Sequence, residues 1–217
     1  MHARQKTRIG FNERFLPTQI DGEVADTAIV SLLALTMERT ARTASEKLQL
    51  GALRQARTMG RGEAAAFTFG EPRSVSLYDD VSAWADLRNT NEPPRDDLVE
   101  YPVVPQAPEI HHLLREQTAA RACSFQRLSS GNWEHFTFDN ALGILELEAV
   151  AMLLLQMDVI CREQAIPRGR LHVQWEQGEI WFWVSEMENL MMILTGPNPT
   201  PADLDLFCRC GDAFQLT

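Results

Sequence analysis

The first part of the chain places apolar side chains at the spacing of an α-helix in two stretches. This period predicts one helix over residues 24–42 and a second over residues 45–58, where a serine can cap the start and glycines follow the end. The apolar positions of the first helix are Ala25, Ala28, Ile29, Leu32 and Leu33. Residues 1–19 lack this period and are predicted to form an irregular arm that can dock through Phe11, Phe15 and Leu16.

Two short strands are predicted next, over residues 65–69 and 74–78, with a Gly-Glu-Pro-Arg turn between them. Residues 79–107 are rich in proline and aspartate. Proline removes a backbone donor and restricts the residue before it, so a linker or extended crossing segment is predicted here. A short helix over residues 109–117 follows, and no internal repeat is visible in the sequence.

Alternating polar and apolar residues, together with apolar runs, predict most of the strands and helices in the C-terminal half. Its five predicted strands cover residues 122–128, 133–138, 171–176, 180–184 and 190–195. A long apolar helix is predicted over residues 141–165, between the second and third of these strands. The last helix begins with a strong signature: Thr200 as N-cap, Pro201 in the first position and Asp203 at the capping-box position.

These elements predict an α+β fold. A five-stranded antiparallel sheet with helices on one face makes up the C-terminal half, and a helical N-terminal region precedes it. Residues 1–78 are expected to hold the arm, two helices and a short hairpin. Residues 79–107 are the expected linker, and residues 108–217 the expected α/β domain.

The predicted strand over residues 180–184 reads Ile-Trp-Phe-Trp-Val and is apolar on both faces, so both faces need a cover. If helices cover one face, Trp181 and Trp183 point to a second layer. That layer is the long helix, the N-terminal region or another copy of the chain. Tryptophan anchors many interfaces, although core packing also explains it. The candidate partner-binding residues are Trp181, Trp183, Met191, Phe11 and Phe15.

Composition narrows the classes of partner. The formal net charge is −10, which disfavours nucleic acid because phosphate binding needs a basic surface. Residues 1–62 hold ten Lys and Arg against six Asp and Glu, so the remainder carries a net charge of −14. The longest apolar run is far shorter than the roughly 20 residues of a membrane helix, so no membrane-spanning helix is predicted. Four irregularly spaced cysteines and the absence of a secretory signal predict a cytoplasmic location.

The chemistry-bearing residues form no recognisable site in the sequence. Cys208 and Cys210 point about 200° apart on a predicted helix, so they cannot easily share one metal ion. Cys123 and His135 share a predicted hairpin but are several residues out of register, which disfavours a Cys–His nucleophile. No nucleotide-binding, hydrolase or zinc-protease motif occurs. No catalytic residue, cofactor or metal site is therefore predicted.

Residues 145–214 resemble the roadblock family of dynein-light-chain-like proteins, and the similar order of elements extends over residues 108–217. The resemblance rests on a long Leu/Met/Ala helix, the hairpin RLHVQWEQGEIWFWV, a strand ending in Leu-Thr and a closing helix. It implies a roadblock/profilin-like sheet and a non-catalytic dimerisation module that binds small GTPases or serves as an adaptor. A second resemblance is to type III secretion chaperones, which are small acidic α/β homodimers.

The predicted function is a protein–protein interaction module, an adaptor or a subunit of a larger assembly. It is expected to dimerise through the C-terminal sheet or to join a hetero-complex, with a small GTPase as the partner that the resemblance implies. The first alternative is a secretion or assembly chaperone for a client protein. The second is an enzyme of unfamiliar class, which needs a pocket that gathers His135 or His172 with carboxylates.

Overall fold

The computed structural model of the protein describes residues 5–22, 26–59, 64–78, 121–127, 133–137, 150, 170–184 and 190–215. The strands described there form one sheet, and each pairing between neighbours is antiparallel. They are β1 (Gln5–Phe11), β2 (Pro17–Asp21), β3 (Leu53–Met59), β4 (Ala64–Thr68), β5 (Arg73–Tyr78), β6 (Arg121–Arg127), β7 (Trp133–Thr137), β8 (Arg170–Trp175), β9 (Glu179–Val184) and β10 (Leu190–Thr195). The helices are α1 (Thr27–Leu48) and α2 (Pro201–Gln215).

The order of the strands contains a repeat that the sequence does not show. Across the sheet the order is β2-β1-β5-β4-β3-β8-β9-β10-β6-β7. From one edge inward, the first half of the sheet is built from the second, first, fifth, fourth and third strands of the chain. From the other edge inward, β7, β6, β10, β9 and β8 are likewise the second, first, fifth, fourth and third strands of the last five. The sequence shows no internal repeat, but the topology contains one: two stretches with different side chains adopt one pattern, joined where β3 pairs with β8.

The two helices lie on opposite faces of the sheet. Buried residues of α1, including Leu33, Met37 and Ala41, pack in one cluster with core residues of both halves of the sheet. Residues of α2, among them Phe207, pack on the other face against Trp181 and its neighbours on β9 and β10. The sheet is thus the middle layer, and each helix covers a different face of it.

The N-terminal region is mostly strand, which corrects the prediction of an irregular arm. In β1, Thr7, Ile9 and Phe11 are buried while Lys6 and Arg8 are exposed, which is the alternation of a half-buried strand. A tight turn then leads into β2. It forms because the Asn12 side chain accepts hydrogen bonds from the backbone N–H groups of residues 14 and 16.

The prediction of a second helix over residues 45–58 was also wrong. One helix, α1, continues through Ser45, and Gln49 ends it in the left-handed conformation with φ of 56°. Gly51 follows with φ of 77°, and the chain turns back into β3. The apolar residues at positions 48, 52, 53 and 56 fit a helical period, so only the turn residues distinguish the two outcomes.

The five strands predicted for the C-terminal half are present as β6 to β10, with ends shifted by at most one residue. The predicted fold class was nevertheless wrong. These strands continue into the strands of the N-terminal region, so the described structure is one large antiparallel sheet and not a five-stranded sheet behind a helical region. The error arose because strands β1 to β3 were read as arm and helix.

Some predicted elements lie outside the described residues: the linker over 79–107, the helix over 109–117 and most of the helix over 141–165. From the last of these, Val150 is described, and it is helical and buried in the cluster that α1 covers. The division of the chain at residues 78 and 108 stays a prediction. In the part of the chain that the structure describes, no helix is long and apolar enough to cross a membrane.

Candidate functional site

Polar side chains meet at the centre of the sheet, where its two halves join. Arg57 on β3 is the register partner of His172 on β8. Gln174 on β8 is the register partner of Glu179 on β9. Alternation places these four residues on the face of the sheet where α2 packs, because their neighbours along each strand face α1. We call Arg57, His172, Gln174 and Glu179 the seam cluster.

The Glu179 carboxylate is held from two sides. Nε2 of His172 lies 2.9 Å from its Oε2 atom, and Nε2 of Gln174 donates to its Oε1 atom at 3.0 Å. The His172 ring also stacks on Trp181, with ring centroids 3.9 Å apart and planes inclined by 22°. Strand register produces this arrangement, because Trp181 is the partner of His172 and Glu179 the partner of Gln174.

Burial controls the charge states in the seam cluster. It lowers the pKa of His172, although the hydrogen bond and the charge of Glu179 act in the opposite direction. The imidazole is therefore neutral near pH 7, and it donates the Nε2 proton to the carboxylate. Burial also lowers the pKa of Arg57, whereas the charges of Tyr78 and Glu179 act to raise it. Arginine remains charged, so Arg57 supplies the positive charge of the cluster.

The seam cluster has the groups of a general acid–base pair but not the access that a substrate needs. The side chains of His172 and Glu179 are 4% and 5% exposed. The enzyme hypothesis required a pocket that gathers His172 with carboxylates. The structure does bring His172 to a carboxylate, but inside the sheet layer, where both hydrogen-bonding groups are already used. This geometry supports a role in joining the two halves, since Arg57 and Glu179 come from opposite sides of the junction.

Metal binding finds no support in the described residues. None of their His, Cys, Asp and Glu side chains form a group of three or more that could hold an ion. Cys210 is buried in the apolar cluster under α2. Cys123 and His135 lie on the paired strands β6 and β7, but their register partners are Thr137 and Phe125, so they are not opposite each other.

The outermost strand β2 is the most exposed of the strands whose burial the structure describes. Among the described strands it pairs with β1 alone, and each of its five residues is exposed. Three large hydrophobic side chains are exposed in the described part of the chain: Leu16 at 57%, Ile20 at 48% and Leu32 at 64%. Two of them belong to this strand or directly precede it. We call residues 16–21 the β2 edge.

The β2 edge is held in place by the loop that precedes it. Phe15 adopts a left-handed conformation with φ of 57°. Its buried ring lies 6.1 Å from that of Phe11 and 6.4 Å from that of Phe69, with the Arg73 guanidinium 4.9 Å above it. Arg73 also donates a hydrogen bond to the backbone oxygen of Glu13 at 2.7 Å. The strand that follows is therefore attached to a fixed corner of the sheet.

The five predicted partner-binding residues are all buried within this chain. Trp181, Trp183 and Met191 lie under α2, and Phe11 and Phe15 lie in the cluster under α1. The second layer over the two tryptophans is thus the C-terminal helix, and not one of the three predicted covers, which were the long helix, the N-terminal region and another copy of the chain. Their part in partner binding stays a prediction, but they offer no exposed surface in this arrangement.

Comparison with protein-family models, with curated proteins and with solved structures finds no match to this chain. The resemblance to the roadblock family therefore stays a prediction.

Sequence reasoning missed both the seam cluster and the β2 edge. The edge had a usable signal, because Lys6 to Phe11 alternates polar and apolar residues ahead of an Asn turn. The seam cluster had a weaker one: Glu179 is the single charged residue in a strand that is otherwise apolar on both faces. A charge in a buried strand requires a partner, but the sequence does not say which strand supplies it.

Proposed function

We propose that this chain is a non-catalytic protein–protein interaction module, an adaptor or subunit of a larger assembly, that docks its partner at the β2 edge. The observation that carries the proposal is a strand at the end of the sheet whose residues are all exposed. The outward backbone N–H and C=O groups of such a strand can pair with a strand of another protein.

Side chains of the β2 edge support the same function. Leu16 and Ile20 place apolar surface beside the free backbone groups, so a docking strand gains burial of apolar area as well as hydrogen bonds. Strand addition of this kind takes affinity from the main chain and specificity from alternate side chains. An adaptor needs these two properties, and neither of them requires catalytic groups.

The proposal differs in one respect from dimerisation through the C-terminal sheet. The face that carries Trp181 and Trp183 is occupied by α2, so we place the interface at the opposite end of the sheet. A small GTPase as partner remains an expectation from the roadblock resemblance. We also place the protein in the cytoplasm, in keeping with four cysteines that show no disulfide-scaffold spacing.

Site-specific photo-cross-linking tests the proposal in cells that make the full chain. Benzoylphenylalanine replaces Ile20 in one variant and Leu32, which is exposed on α1, in a matched control. We expect a covalent adduct with a protein from position 20 and none from position 32. Mass spectrometry of the adduct then identifies the partner. Equal adducts from both positions, or no adduct from position 20, would contradict the proposed function.

A further inference from the structure

We propose that residues 80–88, in the segment that directly follows β5, form a helix that covers one face of the first half of the sheet, as α2 covers the second half. The covered face is the one opposite α1. The contact is intramolecular and independent of the docking proposed at the β2 edge.

The repeat in the topology assigns a face to this segment. The second and third strands of each half are connected through α1 in the first half and through the segment that contains the helical residue Val150 in the second. Both lie in one core cluster, so equivalent connections lie on the same face of the sheet. After the fifth strand of the second half, β10, the chain forms α2 on the opposite face. The equivalent position in the first half belongs to the segment that begins after Tyr78.

The face opposite α1 carries small side chains in the middle of the first half. On β4 and β5, alternation with the core residues Ala65, Phe67 and Val75 places five small residues there: Ala64, Ala66, Thr68, Ser74 and Ser76. We call these five residues the small-residue floor. Ala64 and Ser74 are buried, yet the apolar cluster under α2 contains residues of β9, β10 and α2 only. The small-residue floor therefore needs a cover of its own.

The small-residue floor and residues 80–88 are complementary in size. On the equivalent strands of the second half, β9 and β10, the same face carries large side chains such as Trp181 and Trp183, and α2 packs on them. Where the sheet supplies only small side chains, the covering helix has to supply the volume, because protein interiors are close-packed. Residues 80–88 contain Trp84, the one tryptophan of the chain that precedes residue 108.

Residues 80–88 have the sequence features of a short amphipathic helix. Asp79 and Asp80 at its start suit the N-cap and the helix dipole. Ser82 and Asp86 fall on one side of such a helix, and the opposite side carries apolar residues, which are Val81, Trp84, Ala85 and Leu87. A helix of this length is not stable alone in water, so it forms only where it packs against the rest of the chain.

Charge favours the same contact. Residues 79–107 hold seven Asp and Glu against two Lys and Arg, a net charge of −5, whereas residues 1–62 carry +4. Arg8 on β1 is exposed and is the register partner of Ser76, so a positive charge lies at the border of the small-residue floor. An acidic segment is attracted to such a surface.

Hydrogen exchange of the purified full chain, followed by mass spectrometry, tests whether the helix forms. Amides of residues 81–88 should exchange at least about tenfold more slowly than those of residues 95–107, because only a docked helix protects them. Trp84→Asp removes the side chain that packs on the small-residue floor and should abolish the protection. Ser82→Asp, an equal change on the opposite side of the helix, should retain it. Circular dichroism verifies that both variants fold.

Photo-cross-linking within the purified chain tests where the helix lies. Benzoylphenylalanine replaces Trp84 in one variant and Tyr101, an aromatic residue farther along the same segment, in a matched control. We expect position 84 to form an intramolecular adduct with residues 64–78, mapped by tandem mass spectrometry, and position 101 to form none there. A third variant carries the cross-linker at Leu113, in the predicted helix over residues 109–117.

The remaining outcomes overturn the proposal in distinguishable ways. Unprotected amides in residues 81–88, or equal loss of protection in both Asp variants, would show that no docked helix forms there. An adduct with residues 64–78 from position 113 and none from position 84 assigns the face to the second predicted helix. An adduct from position 84 at twice the mass of the chain assigns it to another copy. None of these results affects the cross-link expected from position 20.

Discussion

At the scale of single residues, two buried polar side chains of β8 form hydrogen bonds to neighbouring elements. Nε1 of Trp175 donates a hydrogen bond to the backbone oxygen of Ala41 at 3.1 Å, which links β8 to α1. His172, on the other face of β8, donates to Glu179. Each satisfies a polar atom that burial would otherwise make costly, by about 1–3 kcal/mol when the hydrogen bond is lost.

The lowered pKa of His172 makes stability depend on pH. Above the unfolded-state pKa of about 6.5 the imidazole is neutral in both states and adds no dependence. Below it the unfolded chain binds a proton that the buried imidazole does not, so the free energy of unfolding falls as pH falls, by at most about 1.4 kcal/mol per pH unit. Urea unfolding at pH 5 to 8 measures this effect.

The His172→Gln variant separates this proton from the other titrating groups. It keeps a donor near Glu179 but cannot be protonated in this range. The difference in unfolding free energy between the unmodified chain and the variant should be constant above about pH 6.5. Below that pH the unmodified chain should lose unfolding free energy relative to the variant. A difference that is the same at every pH would show that His172 is protonated equally in both states.

At the scale of elements, side chains cap the N-terminal ends of both α2 and α1. The amide of Thr200 donates to Oδ2 of Asp203 at 2.9 Å, and the amide of Asp203 donates to the Thr200 hydroxyl at 3.2 Å. This confirms the cap predicted from the sequence. The Asp26 side chain accepts from the amides of Ala28 and Ile29 in the same way at the start of α1.

Removing the α2 cap should loosen the cover over the tryptophan face. Thr200→Ala loses the hydroxyl that accepts from Asp203, and we expect it to lower stability by about 1 kcal/mol. Thr200→Ser retains the hydroxyl and serves as the control, with a change of a few tenths of a kcal/mol. Urea unfolding followed by tryptophan fluorescence gives both values. Equal losses in the two variants would mean that the hydroxyl does not act as a cap.

How far the sequence predicts these elements depends on whether the signal is local. The strands β8 to β10 and the start of α2 were predicted because alternation, a Gly turn and a capping box each lie within a few residues. The apolar residues between the end of α1 and the middle of β3 also fit the period of a helix. The structure ends α1 there because Gln49 adopts the left-handed conformation. The seam cluster could not be predicted, since Arg57 meets His172 only after distant strands pair.

At the scale of the whole molecule, one core cluster runs through both halves of the sheet. Ile9 and Phe67 from the first half and Val173 and Phe182 from the second belong to the same cluster under α1. Shared burial of this kind couples the stability of the two halves, because neither can expose its core face without exposing that of the other.

This continuity predicts that the halves unfold together. Ile9→Ala removes a fully buried side chain from the first half and should cost about 2–5 kcal/mol. Every described tryptophan lies in the second half. If the halves unfold together, tryptophan fluorescence should show the same loss of unfolding free energy in Ile9→Ala as circular dichroism does. The control Ile20→Ala changes the exposed register partner of Ile9 and should shift stability by less than about 0.5 kcal/mol. A fluorescence transition that Ile9→Ala leaves unmoved would show independent halves.

The junction of β3 with β8 has a consequence for the chain as it is made. The first five strands are complete at Tyr78, but the strand that pairs with β3 begins only at Arg170. At roughly 5–20 residues per second, a ribosome needs about 5–20 s to synthesise the residues between them. During that interval β3 has no partner strand on the side where β8 will pair. Gln55 and Arg57 place polar and charged side chains beside that side, and residues of this kind disfavour pairing with a strand of another chain.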